Sequence, residues 1–460
     1  MDLFDTIAAV STPYGKGGVA VIRVSGDRAI QVVSKIFKPV SGKALETVPA
    51  NSATYGRIYN NKNDVIDDGI AVVFKAPHSF TGEDTVEVSC HGGILITQTV
   101  LSVVLFAGAR SAERGEFTRR AFVSGKMGLS QVEALGELLD AKTTAQMVLA
   151  KSGQRGILGK KATEIYDILL RTVGNMYAKI DFPDEDLSEM SLEETNNNIN
   201  EALTQVRELI KTYKTGRAVA EGVKTVICGK TNVGKSSLYN MLTGYEAAIV
   251  TEIAGTTRDL LEETVSFGGV TLRLCDTAGL RETEDVIEKI GVGRAMKKLD
   301  DAELIFAVFD GTKPLDENDY RLMGELLDKR GTVIAVVNKI DEEMFIDIDA
   351  VRGKFPFTVK ISAQTEEGRS ELEQTVKSLF IDGKIDISTD AVVTNARQYS
   401  ALERAEEMLQ MALTDIKSGV QTDLCCADIE SAMSGLLEID GRSVNEDIVS
   451  HIFSKFCVGK

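Results

Sequence analysis

Histidine is scarce here, with three residues in 460, and the six cysteines (Cys90, Cys228, Cys275, Cys425, Cys426 and Cys457) form no C-x-x-C pair. That argues against a structural zinc site. Scattered cysteines read as free thiols of a reducing compartment rather than a disulfide framework. No apolar run approaches the ~20 residues that cross a bilayer. Internal repeats and low-complexity tracts are missing too. The N-terminal stretch MDLFDTIAAV is acidic where a targeting peptide is basic, so a cytoplasmic protein is expected. Positive charge is also short: 52 Lys and Arg stand against 69 Asp and Glu, a net −17. Such a surface repels phosphates as a whole. Any RNA contact then needs a partner protein or a local patch, for which Arg110, Arg114, Arg119 and Arg120 are the candidates.

The chain is long enough for two to four domains. Residues 1–118 alternate β-like runs (Gly18–Val24, Gly69–Phe74, Thr85–Cys90) with glycine turns around a helical pattern at Ile96–Phe106, an α+β domain. Residues 119–215 are helical: Val132, Leu135, Leu138 and Leu139 recur at helical spacing, as do Leu203, Val206, Leu209 and Ile210. Ser191 with Glu194 spells a capping box. Residues 216–383 alternate apolar strands (Val223–Cys228, Leu304–Phe309, Val333–Val337) with helices, as a parallel α/β sheet requires. Residues 384–460 return to helix. Helix on both sides of an α/β unit suggests that the unit is inserted into one helical domain.

Gly229–Ser236 fits G-x-x-x-x-G-K-[ST] between the strand Val223–Cys228 and the helical Ser237–Leu242. In that setting loop amides and a helix N-terminus cradle phosphates. Lys235 is expected at the β- and γ-phosphates and Ser236 on Mg²⁺, with Asn232, Val233, Gly234 and Ser237 completing the loop. Asp276-Thr277-Ala278-Gly279 follows the strand Leu272–Cys275, with Asp276 suited to the magnesium shell and the Gly279 amide to the γ-phosphate. Asn338-Lys339-Ile340-Asp341 follows Val333–Val337. Asp341 would accept both N1–H and the exocyclic amine of guanine, a donor pair adenine lacks. Ser362-Ala363-Gln364 fits the loop over the base. Four motifs in this order specify GTP.

Leu280 occupies the position where many small GTPases place a water-orienting glutamine. Hydrolysis must therefore be very slow or use another group: Arg281, Glu282, Glu284, Asp285, Glu288 or a monovalent cation. Gly255-Thr256-Thr257-Arg258-Asp259 offers one threonine for Mg²⁺ and a second oxygen besides. With the side-chain carbonyl of Asn232 this suits K⁺ in the place of an arginine finger.

Flanking motifs then point to one family. They are Thr12–Gly18 with Ile22–Gly26, Ala76–Asp84, Cys90–Gly93, Gly115–Phe122 and the closing Cys457–Lys460. With these the chain resembles, over nearly its whole length, the MnmE (TrmE) family of tRNA-modification GTPases. The resemblance implies a multidomain α/β protein: an N-terminal α+β folate-binding-like domain that forms a homodimer, a discontinuous α-helical domain, and an inserted P-loop, Ras-like GTPase domain. It implies a K⁺-dependent GTPase, activated when its G domains dimerise. With a flavin-dependent MnmG-type partner it adds a carboxymethylaminomethyl-type group to C5 of the wobble uridine (U34) of certain tRNAs, from a tetrahydrofolate one-carbon donor. By resemblance, Arg23, Glu87, Lys126 and Lys460 match 5-formyltetrahydrofolate contacts, although the residues alone also allow a cross-strand Arg23–Glu87 ion pair. Asn232, Thr251, Ile253 (through its carbonyl) and Thr256 match K⁺ ligands, and Ser236 and Thr257 match Mg²⁺ ligands. Glu252, Ala254 and Gly255 fall in the same GTP-binding stretch. Glu288 matches a glutamate that positions water, Arg258 and Arg281 match arginines tied to activity, and Cys457 matches a cysteine needed for modification.

Overall fold

The structure, a computed structural model, describes residues 5–181, 191–244, 263–275 and 299–459. It divides into two compact units, Met1–Gly136 with Asp440–Lys460, and Glu137–Ile439. This partition cuts across the four segments expected from sequence texture, because residues 119–136 and the chain's last stretch pack with the N-terminal sheet.

The first unit is built on β1 (Ile7–Val10), β2 (Val19–Ser25), β3 (Phe37–Pro39), β4 (Ala53–Tyr59), β5 (Val65–Phe74), β6 (Thr85–His91) and β7 (Arg110–Ser111). Among the described residues the sheet order is β3-β4-β5-β6-β2-β1-β7, antiparallel except for the β1–β7 pair. The period-two alternation of β2 and β6 has a physical outcome. Ala20, Ile22, Val24, Val86, Val88 and Cys90 are buried in the core shared with the helices Ala29–Ile36 and Ile94–Phe106. The intervening residues, among them Val19, Arg23, Glu87 and His91, lie on the opposite face, with Arg23 opposite Glu87 and Val19 opposite His91. The tail helix Glu446–Ser454 packs Val449, Phe453 and the following Phe456 on Phe122, Val132 and Leu135. Beyond it, the Cys457 carbonyl accepts from the Gly115 amide at 3.4 Å and the Gly459 carbonyl from the Ser11 hydroxyl at 3.3 Å.

In the second unit one apolar core draws on helices distant in sequence. Ile165 and Leu169 of helix Ile157–Asp181 and Ile199 and Val206 of Leu192–Ala220 meet Leu402 and Leu409 of Ala396–Ser418 and Ile429 and Leu436 of Thr422–Asp440. Ser191 and Glu194 form the capping box at the start of the second of these helices. That helix runs past Thr215 to Ala220, further than its sequence pattern suggests. Gly216 lets it pass close under the Val393 backbone, where a Cβ would overlap the Val393 carbonyl. In sequence, the second sheet falls between the helix pairs: β8 (Val223–Gly229), β9 (Glu263–Phe267), β10 (Val270–Leu274), β11 (Leu304–Asp310), β12 (Thr332–Asn338) and β13 (Phe357–Lys360). Its order among the described residues is β13-β12-β11-β8-β10-β9, parallel except for the edge strand β9. The fully buried β11 (Leu-Ile-Phe-Ala-Val-Phe-Asp) reads as a continuous apolar run because helices cover both faces of a parallel sheet. The carboxyl ends of β8, β11, β12 and β13 lie at one end of the sheet, the usual ligand position in such folds.

Candidate functional site

β8 ends at Gly229 and the helix Lys235–Thr243 begins six residues later. The loop between depends on backbone that few side chains allow. Gly234 has φ +99°, and a Cβ there would overlap the Asn338 amide nitrogen; Asn232 has φ +62°. Gly234 caps the helix without a side-chain bond, so the first-turn amides remain available to an anion. Lys235 folds over this cup, its Nζ donating to the Gly229 carbonyl at 2.8 Å and the Lys230 carbonyl at 2.6 Å. Val233 is buried as the loop's anchor, while Asn232, Ser236 and Ser237 are exposed at its mouth. Lys230 reaches the other way, to Asp316 at 2.7 Å and Asp319 at 2.6 Å at the start of helix Glu317–Leu327.

Asn338, buried at the end of β12, joins the phosphate loop to the base loop. Its Nδ2 donates to the Val233 carbonyl at 2.9 Å, and its Oδ1 accepts from the Ala363 amide at 2.9 Å. Lys339, at φ +67°, donates to Asp310 Oδ2 at 2.6 Å. Thr312 fills the other carboxylate oxygen with its hydroxyl at 2.7 Å and its amide at 3.0 Å. Burial opposes the charge on Asp310, but Lys339 and Thr312 outweigh it and hold the pKa below the ordinary carboxylate value. Ser362 is buried and accepts from the Thr365 amide at 3.1 Å, and Asp341 is exposed on the open side. The structure thus brings Asn232–Ser237, Asn338–Asp341 and Ser362–Ala363 to one end of the sheet. Thr251, Glu252, Ile253, Ala254, Gly255, Thr256, Thr257, Arg258, Asp276, Thr277, Ala278, Gly279, Arg281 and Glu288 lie outside the described residues. Sequence reasoning missed Asp310. The available signal was an apolar strand that ends in a carboxylate beside a glycine.

On the N-terminal sheet Arg23 and Glu87 form the cross-strand ion pair, with Nε–Oε1 at 2.9 Å. The Arg23 guanidinium lies between the Phe80 and Phe117 rings at 5.4 and 5.6 Å. Lys126 has a separate contact, donating to the Pro77 carbonyl at 2.8 Å. Cys457 is exposed, and Lys460 lies outside the described residues. Four residues along β6 from Glu87, His91 Nδ1 meets Asp67 at 2.8 Å, a pairing the sequence did not reveal. The Asp67 carboxylate raises the His91 pKa.

The suggested basic patch is corrected by the structure. Arg120 is 1% exposed and bonded to Asp5, Glu83 and Glu116, and Arg110 pairs with Asp5 and Glu116. Arg119 pairs with Glu446. Only Arg114 of the four is exposed. Burial opposes the charge on Glu116, but Arg110, the Glu113 amide and Arg120 keep its pKa below the ordinary value. Arg110, Arg119 and Arg120 thus neutralise carboxylates of the same chain and do not form a free positive patch.

Two family models match the chain: "GTP-binding protein TrmE N-terminus" over residues 6–126 and "MnmE helical domain" over residues 129–457. The tRNA modification GTPase MnmE of Thermoanaerobacter pseudethanolicus is 39% identical over 461 residues, covering 100% of both chains. That of Geobacillus thermodenitrificans is 41% identical over 468 residues, again 100% of both. Among solved structures, the G domain of the T. maritima FeoB iron transporter is 31% identical over 34% of this chain and 97% of its own, with a TM-score of 0.26.

Proposed function

The chain belongs to the MnmE family of tRNA modification GTPases, and from that footing we propose a K⁺-dependent GTP hydrolase that drives a conformational step in wobble-uridine modification. One observation carries the nucleotide reading. The Asn338 amide ties the phosphate loop to the loop at Ala363, so one side chain sets the spacing between the phosphate and base halves of a single pocket. In this reading Lys235 exchanges its two loop carbonyls for the β- and γ-phosphate oxygens of GTP, and Asp341 accepts the guanine N–H pair.

The residues present fit the implied ions. Ser236 stands exposed in the first turn of the uncapped helix, where its hydroxyl with Thr257 would hold Mg²⁺. Asn232 is exposed on the loop with an amide oxygen suited to K⁺, and Thr251, Ile253 and Thr256 complete the proposed ligand set. These ions, when bound, supply positive charge where negative charge develops on the transferred phosphoryl group. Glu288 positions the water, and Arg258 and Arg281 support turnover. The G domains, proposed as 216–383, dimerise on GTP and separate after hydrolysis.

Chemistry on the uridine takes place away from this pocket. We assign the one-carbon donor, a 5-formyltetrahydrofolate-type cofactor, to the N-terminal domain. There the Arg23–Glu87 pair offers a cation and a carboxylate side by side, with Lys126 and Lys460 as further contacts. Cys457 serves the modification step, the N-terminal domain forms the homodimer, and an FAD-dependent MnmG-type protein in the cytoplasm shares the tRNA. With Arg110, Arg119 and Arg120 paired internally, that partner supplies most of the cationic surface. The test is GTP turnover in matched potassium and sodium buffers, with several-fold faster hydrolysis in potassium expected. Equal rates end the cation mechanism, and a preference for ATP ends the nucleotide reading. Unaltered wobble nucleosides after gene deletion, measured by mass spectrometry, end the modification reading.

A further inference from the structure

A second concave site lies in the N-terminal unit, apart from Arg23, Glu87 and Lys126. A cleft of about 390 Å³ is bounded by Tyr14, Lys16, Gly17, Gly92, Ile94 and Thr97, among others, and among the described residues no carboxylate lines it. We propose that it binds an oxyanion, phosphate or carboxylate, carried on a small apolar or planar body.

The helix Ile94–Phe106 starts against this cleft. Its N-cap, Gly93, offers no side-chain cap, and its first turn holds no acidic residue. The leading amides of a helix have no intrahelical acceptor and carry the positive end of its dipole. An independent observation comes from Thr97, one turn further in. Its side chain lines the cleft, the residue is 5% exposed, and its hydroxyl makes no hydrogen bond among the described residues. The hydroxyl is reached from the cleft and no described protein group takes its hydrogen bond, so it is free to bond a ligand oxygen there. The glycine-rich loop facing the helix is held in place by Gly17 N–H donating to the Gly92 carbonyl and Gly92 N–H to the Gly18 carbonyl, both at 3.2 Å. Lys16 is exposed on that loop and adds a cation, while Tyr14, Val19 and Ile94 give apolar walls for the body of the ligand. In a chain of net charge −17, a cleft with a lysine and no carboxylate is set apart from its surroundings.

The chain contains no tryptophan, so Tyr14→Trp creates a unique fluorophore at a position 63% exposed on the cleft wall. With the nucleotide pocket saturated by GDP and Mg²⁺, this protein is titrated separately with inorganic phosphate, a folate polyglutamate and bulk tRNA. A saturable change in at least one series is expected, and the tightest series names the physiological source of the oxyanion. Adding Thr97→Val is expected to weaken that binding roughly tenfold, as for loss of a hydrogen bond to a charged group. Its melting point without ligand should stay level or rise, because a hydroxyl with a purely structural role would lower it on removal. Lys16→Ala, at an exposed position, should weaken binding several-fold and flatten its salt dependence. No saturable response in any series, or unchanged affinities in both variants, overturns the proposal.

Discussion

At the scale of single residues, the nucleotide pocket rests on positions where one atom decides the outcome. Gly234 combines φ +99° with a would-be Cβ that collides with Asn338. Gly234→Ala is therefore expected to lower guanine-nucleotide affinity by about two orders of magnitude, given the roughly 1–3 kcal/mol cost of such backbone strain plus a displaced bridge. Titration with a fluorescent GDP analogue reads it. Asp310→Asn leaves Lys339 without its carboxylate and should destabilise the second unit by about 1–3 kcal/mol. The pH dependence has a definite sign. Asp310 has a folded pKa below its unfolded value, so its contribution is complete above the ordinary carboxylate pKa of about 4 and fades as pH falls through the folded value. The stability gap between parent and variant, followed by chemical denaturation, should be constant near neutrality and shrink only at acid pH. Lys235 and Asn338 stand past β8 and at the end of β12, where motif spacing puts them, because such motifs encode a local loop geometry. Asp310 and Asp67 escaped it because their partners, Lys339 and His91, are 29 and 24 residues away and meet them only through sheet pairing.

Among helices and strands, type and position followed from local pattern more closely than packing partners did. The alternation of β2 and β6, the apolar run of β11 and the Ser191 capping box all correspond to observed structure. Ser191→Ala should cost about 1 kcal/mol, seen as a lower melting temperature of the second unit, with GTP turnover unchanged. Arg110, Arg119 and Arg120 were misread for a definite reason. Asp5, Glu83 and Glu446 reach them only through the fold, and the local Glu116–Arg120 pair at i,i+4 spacing was passed over. The last helix was likewise legible as a helix, yet its 3.6-residue period says nothing of the aromatic cluster that receives Phe453.

Across the whole chain, the order of the motifs shows an α/β unit set between helical pieces, and one apolar core does join helices on both sides of it. The partition into two compact units was less legible, because it depends on where residues 440–459 return. Removing those residues should leave Phe122, Val132 and Leu135 uncovered. The truncated protein is expected to bind a hydrophobic dye strongly and to keep nucleotide affinity, since the pocket belongs to the other unit.

The late return of the tail also sets a schedule for synthesis. Val449, Phe453 and Phe456 close a core whose other half is made more than 300 residues earlier. On the ribosome the first unit therefore waits, with one apolar surface uncovered, until the second has been translated in full. A chain stalled before Asp440 would expose that surface to chaperones and to neighbouring nascent chains, while a released full-length chain covers it within the same molecule.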